Sequence, residues 1–331
     1  MKALIISRKG IRKGTLSIAH TLEELNIDNE ISDNPTPEDF SKADIAIAIG
    51  GDGDVLKVVH SLKSESIPLL GVSESDGESF LTVGISNFKE AIKKIVKSEF
   101  WVEEAVRLKI TVDGIELPPA LNEVALFPSK SATLMEYLLK VNGEYMWRDY
   151  GDGLILSTPT GATAYAMSAG GPMVHPLADV ILIVPVNSLD VTRRPLIVSD
   201  SADIEVEDLG SRYECEAIVD GTLRVKVKKH LSISKMSLPA KLIRLQGSSS
   251  TQQKLTQKVK LAEELQKMPP SAKLVLQTLK YEGPLSQKNI SEKAMLPDRT
   301  TRLAISLLLE KKLVKRLQSL RDARHKTYQI A

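Results

Sequence analysis

A carboxylate stands inside a glycine-rich loop, Gly50-Gly51-Asp52-Gly53, directly after the apolar run at 43–49. That run is short and rich in isoleucine, as is typical of a strand buried on both faces of a parallel sheet. Glycines at the carboxyl end of such a strand can bring backbone N–H groups close to an anion. A carboxylate there would repel a phosphate unless it accepts a proton from an attacking hydroxyl or holds a metal ion. The motif alone leaves a second interpretation open, in which Asp52 only caps a helix that begins near Val55.

A second segment, from Asp152 to Pro172, leads from a strand into a loop rich in hydroxyl groups and small side chains. Small side chains let a ligand approach the backbone, while Tyr165 adds an aromatic face or a phenolic hydroxyl. The hydroxyl groups available for hydrogen bonds are those of Thr158, Thr160, Thr163 and Ser168. We predict a single helix here, roughly from Ala162 to Gly170. A helix of small residues that merely packs against the sheet is the structural alternative.

A third segment places Asn122 and Glu123 side by side within an apolar strand predicted over 120–128. At least one of the two must lie on a face that would otherwise be core, and buried polar groups require partners. The adenine or ribose edge of a ligand would supply them, with Glu123 accepting from sugar hydroxyls. A bulge or an internal salt bridge is the alternative.

These segments need a scaffold, and the pattern along the chain predicts one with two parts. Residues 1 to about 104 alternate strands with helices, which favours an α/β domain with a parallel sheet. Residues 105–239 carry many short strands separated by turn signals, which indicates a mostly β domain. A late strand at about 240–246 closes this arrangement, and its return to the first sheet is one option.

Together the three segments resemble the NAD kinase family over about residues 1–246. The resemblance rests on the glycine loop, on Asn122-Glu123, on the stretch 152–176, and on Arg194–Val198 followed by Asp220-Gly221. It implies transfer of the terminal phosphoryl group of ATP or polyphosphate to the adenosine 2′-hydroxyl of NAD. It also implies Mg²⁺ or another divalent cation, and assembly into dimers or tetramers.

The resemblance also assigns roles to residues. Asp52 becomes the candidate general base, and Gly50, Gly51 and Gly53 are placed near the donor phosphates. The implied NAD-binding residues are Asn122, Glu123, Asp152, Thr160, Thr163, Ala164, Tyr165 and Ser168. Some positions depart from the family pattern: Asp54 stands where Thr is usual, Ser79 where Gly is usual, and Asn187 where bacterial relatives often carry His. Asp54 could recruit the metal ion or weaken triphosphate binding, and both options remain open.

The last 81 residues differ in charge from the rest of the chain. Residues 251–331 hold 17 Lys plus Arg against 7 Asp plus Glu, a net charge of +10, whereas residues 1–250 carry −8. This asymmetry suggests an appended module with its own partner. We predict a linker and connecting helix over 247–270 and a winged-helix-like domain over 271–331. Within that domain, helices at 286–294 and 298–311 have the spacing of a helix-turn-helix.

The second helix of that pair is the candidate for DNA contact. Its predicted core face carries Leu303, Leu307 and Leu308. Its predicted DNA-contacting face carries Arg299, Thr300, Arg302 and Ser306. The alternative is a solvated helical domain that serves as a dimer contact, where the basic residues only maintain solubility.

Composition restricts the function classes further. The single cysteine, Cys215, excludes an internal disulfide framework and suits a reducing, cytoplasmic location. The longest apolar run, Val180–Val186, is far below the roughly 18 residues needed to span a bilayer, so no membrane partner is expected.

Two functions stay open: a kinase that makes NADP and uses its tail for assembly or regulation, or an NAD(H)-sensing DNA-binding regulator without turnover. A lipid or sphingoid-base kinase shares the glycine loop, but the stretch 152–176 argues against it.

Overall fold

A computed structural model describes residues 1–7, 13–62, 65–74, 79, 81–245, 268–311, 313–318 and 326–330. The chain divides into two compact units, Met1–Gln252 and Gln253–Ala331. The predicted linker at 247–250 and the connecting helix after it lie outside the described residues, apart from the last few positions of that stretch. Among the helices that the structure describes, none is long and apolar enough to cross a membrane.

A seven-stranded sheet organises the first part of the first unit, and it confirms the predicted parallel α/β arrangement. In spatial order its strands are β2 (Asp28–Ser32), β1 (Lys2–Ile6), β3 (Ile45–Ile49), β4 (Leu69–Ser73), β19 (Ala240–Leu245) and β6 (Phe100–Ala105), with β5 (Thr82–Gly84) paired to β4. All these pairings are parallel except that of β6 with β19. The helices of this part are α1 (Lys13–Glu24), α2 (Pro37–Ser41), α3 (Asp52–Leu62) and α4 (Phe88–Val96).

The alternation of alanine and isoleucine along β3 explains how α3 reaches the sheet. All five residues of β3 are buried. Ala46 and Ala48 pack into the same core as α3, whereas Ile45, Ile47 and Ile49 pack into the core shared with α1 and α4. Successive side chains of a strand point to opposite faces, so the small residues lie under α3 and let its first turn lie close to the strand end.

Two six-stranded antiparallel sheets form the second part of this unit, which confirms the mostly β prediction. One sheet has the order β11 (Glu144–Gly151), β10 (Met135–Val141), β15 (Ile204–Ser211), β18 (Leu231–Lys235), β7 (Leu108–Val112) and β8 (Ile115–Ala120). The other has the order β14 (Leu196–Ser199), β13 (Val180–Val186), β12 (Gly153–Ser157), β9 (Glu123–Pro128), β16 (Cys215–Val219) and β17 (Leu223–Val227). Inward-facing residues of both sheets share one hydrophobic core.

Two local predictions in this part are wrong. The predicted helix over 162–170 is instead a 3₁₀ turn, Gly161–Thr163, followed by the four-residue helix α5 (Tyr165–Ser168). The interruption falls at Ala164, whose φ of −103° and ψ of −124° are not helical. The predicted strand over 120–128 is also interrupted, because β8 ends at Ala120 and β9 begins at Glu123.

The second unit has its own core. The described residues of this unit form α6 (Pro270–Glu282), β20 (Leu285–Ser286), α7 (Gln287–Lys293), α8 (Asp298–Glu310), β21 (Val314–Gln318) and β22 (Lys326–Ile330). The three strands form an antiparallel sheet in the order β20, β22, β21. The three helices and the sheet together enclose a hydrophobic cluster.

The core face of α8 differs from the predicted one. Leu303 is 65% exposed, so its assignment to the core is wrong, while Leu308 is fully buried as expected. The buried positions of the helix are Thr301, Ala304, Ile305 and Leu308. These follow the 3.6-residue period backwards from Leu308, whereas Leu303 lies five residues back and therefore on the opposite side.

Candidate active site

The glycine loop joins β3 to α3, and its glycines are required for different reasons. Gly50 has a φ of +139°, and a Cβ there would lie 2.2 Å from Asp54 Oδ2, so the turn itself requires glycine. Among the described residues, no atom lies within 4 Å of a Cβ placed at Gly51 or Gly53. That part of the fold therefore leaves room for a ligand beside these two glycines.

Asp52 is the first residue of α3, three positions earlier than the sequence suggested. Its Oδ1 accepts hydrogen bonds from the Leu81 backbone N–H, at 3.1 Å, and from the Ser79 hydroxyl. Ser79 Oγ lies in turn 2.6 Å from Thr82 Oγ1. The carboxylate is thus held by the segment that precedes β5, and the serine found in place of the usual glycine supplies one of its donors.

Asp54, not Asp52, provides the cap of this helix. Asp54 is only 8% exposed, and its Oδ2 accepts from the Gly51 backbone N–H at 3.2 Å. Lys57 Nζ lies 3.6 Å from the other carboxylate oxygen. The helix-cap interpretation of the motif therefore applies to Asp54, and a catalytic role for Asp52 remains open.

The turn between β8 and β9 is built around a buried carboxylate that the sequence did not single out as a site residue. Asp220 Oδ1 accepts from the backbone N–H groups of Asn122 and Glu123, at 2.8 and 3.0 Å. Asp220 Oδ2 accepts from the Leu121 N–H at 2.9 Å and lies 2.9 Å from His60 Nε2. In the sequence, Asp220 counted as part of the Asp220-Gly221 motif of the family resemblance, with no role assigned to its carboxylate.

The carbonyl group of Asn122 is held from the other side. It accepts from the Thr158 backbone N–H at 2.9 Å and from the Ser157 hydroxyl at 3.2 Å. A Cβ at Gly161 would lie 2.1 Å from this carbonyl oxygen. Glycine at 161 thus allows the hydroxyl-rich loop to pack directly against the turn that carries Asn122, which brings two of the three predicted segments together.

Tyr165 joins Glu123 and Asp152 in this region. The Tyr165 ring is stacked on Phe127, with centroids 5.8 Å apart, yet 45% of the residue is exposed. Burial and the nearby charges of Glu123 and Asp152 raise the pKa of the Tyr165 phenol, which therefore stays protonated at neutral pH and can donate a hydrogen bond. Asp152 accepts at 2.7 Å from the side-chain amide of Asn187, the residue found where relatives often carry His.

The other predicted binding residues lie along the loop that ends at α5. Thr160 and Ala164 are half-buried, Thr163 is buried and Ser168 is exposed. The Thr163 hydroxyl donates to the Thr160 carbonyl at 3.3 Å. Thr160 and Ser168 therefore offer accessible hydroxyls, whereas Thr163 contributes to the shape of the loop.

A divalent cation fits the glycine loop if it arrives together with a phosphorylated ligand. Among the described residues, one group of three side chains could by itself hold a metal ion, and its members are Glu205, Glu207 and His230 on and beside β15 and β18, not the glycine loop. Mg²⁺ is usually bound by one or two carboxylates completed by substrate phosphates and water. Asp54 supplies one such carboxylate beside Gly51 and Gly53, and a cation there would replace the Lys57 ammonium, 3.6 Å away, as its partner.

Comparison with protein families agrees with this architecture. Residues 10–100 match the ATP-NAD kinase N-terminal domain, and residues 121–245 match the ATP-NAD kinase C-terminal domain. The NAD kinase of Thermococcus sibiricus is 36% identical over 217 residues, which cover 66% of this chain and 78% of that protein. The NAD kinase of Methanopyrus kandleri is 33% identical over 203 residues, which cover 61% of this chain and 73% of that protein.

Solved structures show the same likeness. An NAD kinase from Archaeoglobus fulgidus, in complex with ATP, superposes with a TM-score of 0.66 at 28% identity and covers 78% of this chain and 99% of its own. A yeast NADH kinase complexed with NADH has a TM-score of 0.66 at 19% identity and covers 81% of this chain and 89% of its own. At that identity the yeast protein supports the fold alone.

Proposed function

Because the chain belongs to the NAD kinase family, we propose that Asp52 is the general base of its phosphoryl-transfer reaction. The protein is an NAD kinase, a phosphotransferase with NAD and ATP as substrates. One observation carries the assignment of the base. The Asp52 carboxylate accepts from the Ser79 hydroxyl and the Leu81 N–H, next to Gly51 and Gly53, where no atom of the described residues would meet a Cβ.

The chemistry requires a base at this position. A ribose hydroxyl is a poor nucleophile at neutral pH, and a positioned carboxylate typically accelerates such a step about 10²–10⁴-fold. Because Oδ1 of Asp52 is already hydrogen-bonded, we assign the acceptor proton to Oδ2. As that proton moves to Oδ2, the 2′-oxygen forms its bond to the terminal phosphorus of ATP and the bond to the leaving ADP breaks.

The donor phosphates are assigned to the start of α3. The N-terminus of a helix offers unpaired backbone N–H groups and the positive end of its dipole, both of which favour anions. Gly51 and Gly53 leave room for the phosphates there. Asp54 is the residue assigned to Mg²⁺, which would neutralise charge on the donor phosphates when it is bound.

The acceptor NAD is assigned to the region where the turn at 121–123 meets the hydroxyl-rich loop. Glu123 and Asp152 are suited to accept from ribose hydroxyls, and the half-exposed ring of Tyr165 is suited to stack on a base. The remaining residues assigned to NAD are Asn122, Thr160, Thr163, Ala164 and Ser168. Polyphosphate as a second donor, assembly into dimers or tetramers, and a cytoplasmic location are proposals that rest on the family resemblance and on the single cysteine.

The role of Asp52 is tested by NADP⁺ formation in a coupled assay with an NADP⁺-specific dehydrogenase. Asp52→Asn is expected to lower turnover at least 100-fold, because an amide cannot accept the proton. Asp33→Asn, the same substitution at an exposed bend after β2, is the matched control and should leave turnover unchanged. Turnover of Asp52→Asn near that of the control would remove Asp52 from the mechanism.

We also propose that the second unit is a winged-helix domain that binds DNA through α8. The order of its elements, three helices followed by the β21–β22 hairpin, supports this reading, as does the net charge of +10 over residues 251–331. Arg299, Arg302 and Ser306 are exposed on α8, and Thr300 is half-buried.

A mobility-shift titration of the full chain on duplex DNA tests this second proposal. Replacement of Arg299 and Arg302 by Ala should weaken binding and lower the salt dependence by about one unit of slope per lost phosphate contact. Lys288→Ala on α7, which also removes an exposed cation, is the control. The absence of binding at low salt would end the DNA proposal, whereas NADP⁺ formation by the wild type would end the alternative of a sensor without turnover.

A further inference from the structure

The buried contact between His60 and Asp220 links the two halves of the candidate active site. His60 lies near the end of α3, the helix whose first residue is Asp52. Its Nε2 lies 2.9 Å from Asp220 Oδ2, and the two side chains are 10% and 0% exposed. An ionised carboxylate only accepts hydrogen bonds, so the imidazole is the donor in this pair.

Asp220 holds the acceptor turn with its backbone as well as with its side chain. Besides the three N–H groups of 121–123 that its carboxylate accepts, its own N–H donates to the Glu123 carbonyl at 2.9 Å. Asp220 and Gly221 have φ values of +46° and +65°, so the tight hairpin turn aims the carboxylate at the 121–123 backbone. One carboxylate therefore binds the N–H groups of the turn that carries Asn122 and Glu123, while Ser157 and Thr158 hold its carbonyl groups.

Packing follows the same route as the hydrogen bonds. Leu121 is fully buried in the core that also holds Val55, Leu56 and Val59 of α3. A helix rises 1.5 Å per residue, so the eight residues from Asp52 to His60 span about 12 Å of a rigid rod. One end of that rod carries the candidate base, and the other end is hydrogen-bonded to the residue that shapes the acceptor turn.

We propose that His60 and Asp220 are positioning residues that align the acceptor site with the base. This inference rests on the proposed roles of Asp52 and of the 121–123 turn. The pair fixes where the turn lies relative to α3, and thereby sets the distance between the 2′-hydroxyl of bound NAD and the Asp52 carboxylate. Misplacement of reacting groups by about 1 Å can cost about 100-fold in rate, so a link outside the site can control turnover.

The test compares two substitutions of His60 in the full-length enzyme. His60→Leu keeps a similar volume but removes the donor, whereas His60→Gln keeps an N–H group at a similar reach. His60→Leu should lower kcat/KM for NAD about tenfold or more, with KM for ATP within about twofold of the wild type. His60→Gln should recover kcat/KM for NAD to within about threefold. A purely structural role would change thermal stability but would not separate the two substrates in this way.

Two further measurements keep the proposal falsifiable. If His60→Leu fails to fold, His60→Asn replaces it, since its shorter amide cannot reach Asp220 from the position of Nε2. Calorimetric titration with NAD alone, which needs no turnover, is run on the His60 variant and on Asn122→Ala. Weakened NAD binding in Asn122→Ala but wild-type kinetics and binding in the His60 variant would overturn the positioning role. Unchanged NAD affinity in Asn122→Ala would instead contradict the assignment of the acceptor turn itself.

Discussion

Substitution of Gly53 by alanine should affect the stability of α3 and the binding of the donor phosphates at its first turn in opposite directions. Gly53 is the second residue of the helix, it does not have a positive φ, and no atom of the described part of the chain would lie within 4 Å of a Cβ there. In a helix, glycine is less favourable than alanine by roughly 0.5–1 kcal/mol, because it loses more backbone entropy on folding. No contact of Gly53 with the described residues offsets that cost.

The expected result is therefore a more stable protein with a weaker enzyme. Gly53→Ala should raise the free energy of unfolding by up to about 1 kcal/mol, which is about 2–4 °C in Tm for a unit of this size. If donor phosphates approach the backbone at Gly53, the added methyl group fills that space. The value of kcat/KM for ATP should then fall at least tenfold.

Calorimetric unfolding and the coupled NADP⁺ assay measure the two effects on one preparation. Ser17→Ala is the matched control, since Ser17 is exposed in α1 of the same unit and the substitution also improves helix propensity. It should leave kcat/KM for ATP unchanged. Wild-type ATP kinetics in Gly53→Ala would refute the placement of the donor at this loop. A Tm lower than that of the wild type would show that a methyl group at position 53 does not fit beside the helix.

Three further experiments test the metal ligand, the packing of the acceptor site and the burial of Cys215. Asp54→Asn removes the carboxylate assigned to Mg²⁺ but retains an acceptor for the Gly51 N–H. The Mg²⁺ concentration for half-maximal activity should therefore rise several-fold. An unchanged Mg²⁺ requirement would contradict the assignment. Gly161→Ala places a methyl group within 2.1 Å of the Asn122 carbonyl oxygen, and overpacking of this kind costs about 1–3 kcal/mol of stability. Thermal unfolding should show a lower Tm, and calorimetry should show a weaker affinity for NAD. NAD affinity equal to that of the wild type would contradict this packing of the loop against the turn. Burial raises the pKa of the Cys215 thiol, which should therefore not react with a thiol reagent at pH 8 until the protein is denatured; rapid native labelling would show that this region opens.

Much of the scaffold follows from the sequence because its patterns are strong. The β-branched run before the glycine loop is a buried parallel strand as predicted, and α3 follows it. The prediction of a single helix over 162–170 is wrong. The small residues there are compatible with a helix, but the hydroxyl-rich loop around Gly161 sets their backbone conformation instead. The face of α8 was misjudged at Leu303 because Leu307, Leu308 and Leu309 follow one another, and such a run does not show which of them marks the centre of the buried face.

The site was less predictable than the fold where it depends on long-range partners. Contacts such as Asp52 with Ser79 and Leu81, or Asp220 with His60, join residues that are 27 to 160 positions apart. No local periodicity carries that information. Asp220 belonged to a motif of the family resemblance, but no local pattern indicated that its carboxylate organises the backbone of 121–123.

A single-turnover experiment on Asp52→Asn, combined with its dissociation constant for NAD, tests the central claim most directly. Single-turnover conditions report phosphoryl transfer itself and exclude product release. If Asp52 is the base, the variant should bind NAD within about twofold of the wild type, while the rate of NADP⁺ formation falls by about 100-fold or more. A rate within threefold of the wild type, or a loss explained wholly by weaker NAD binding, would contradict it.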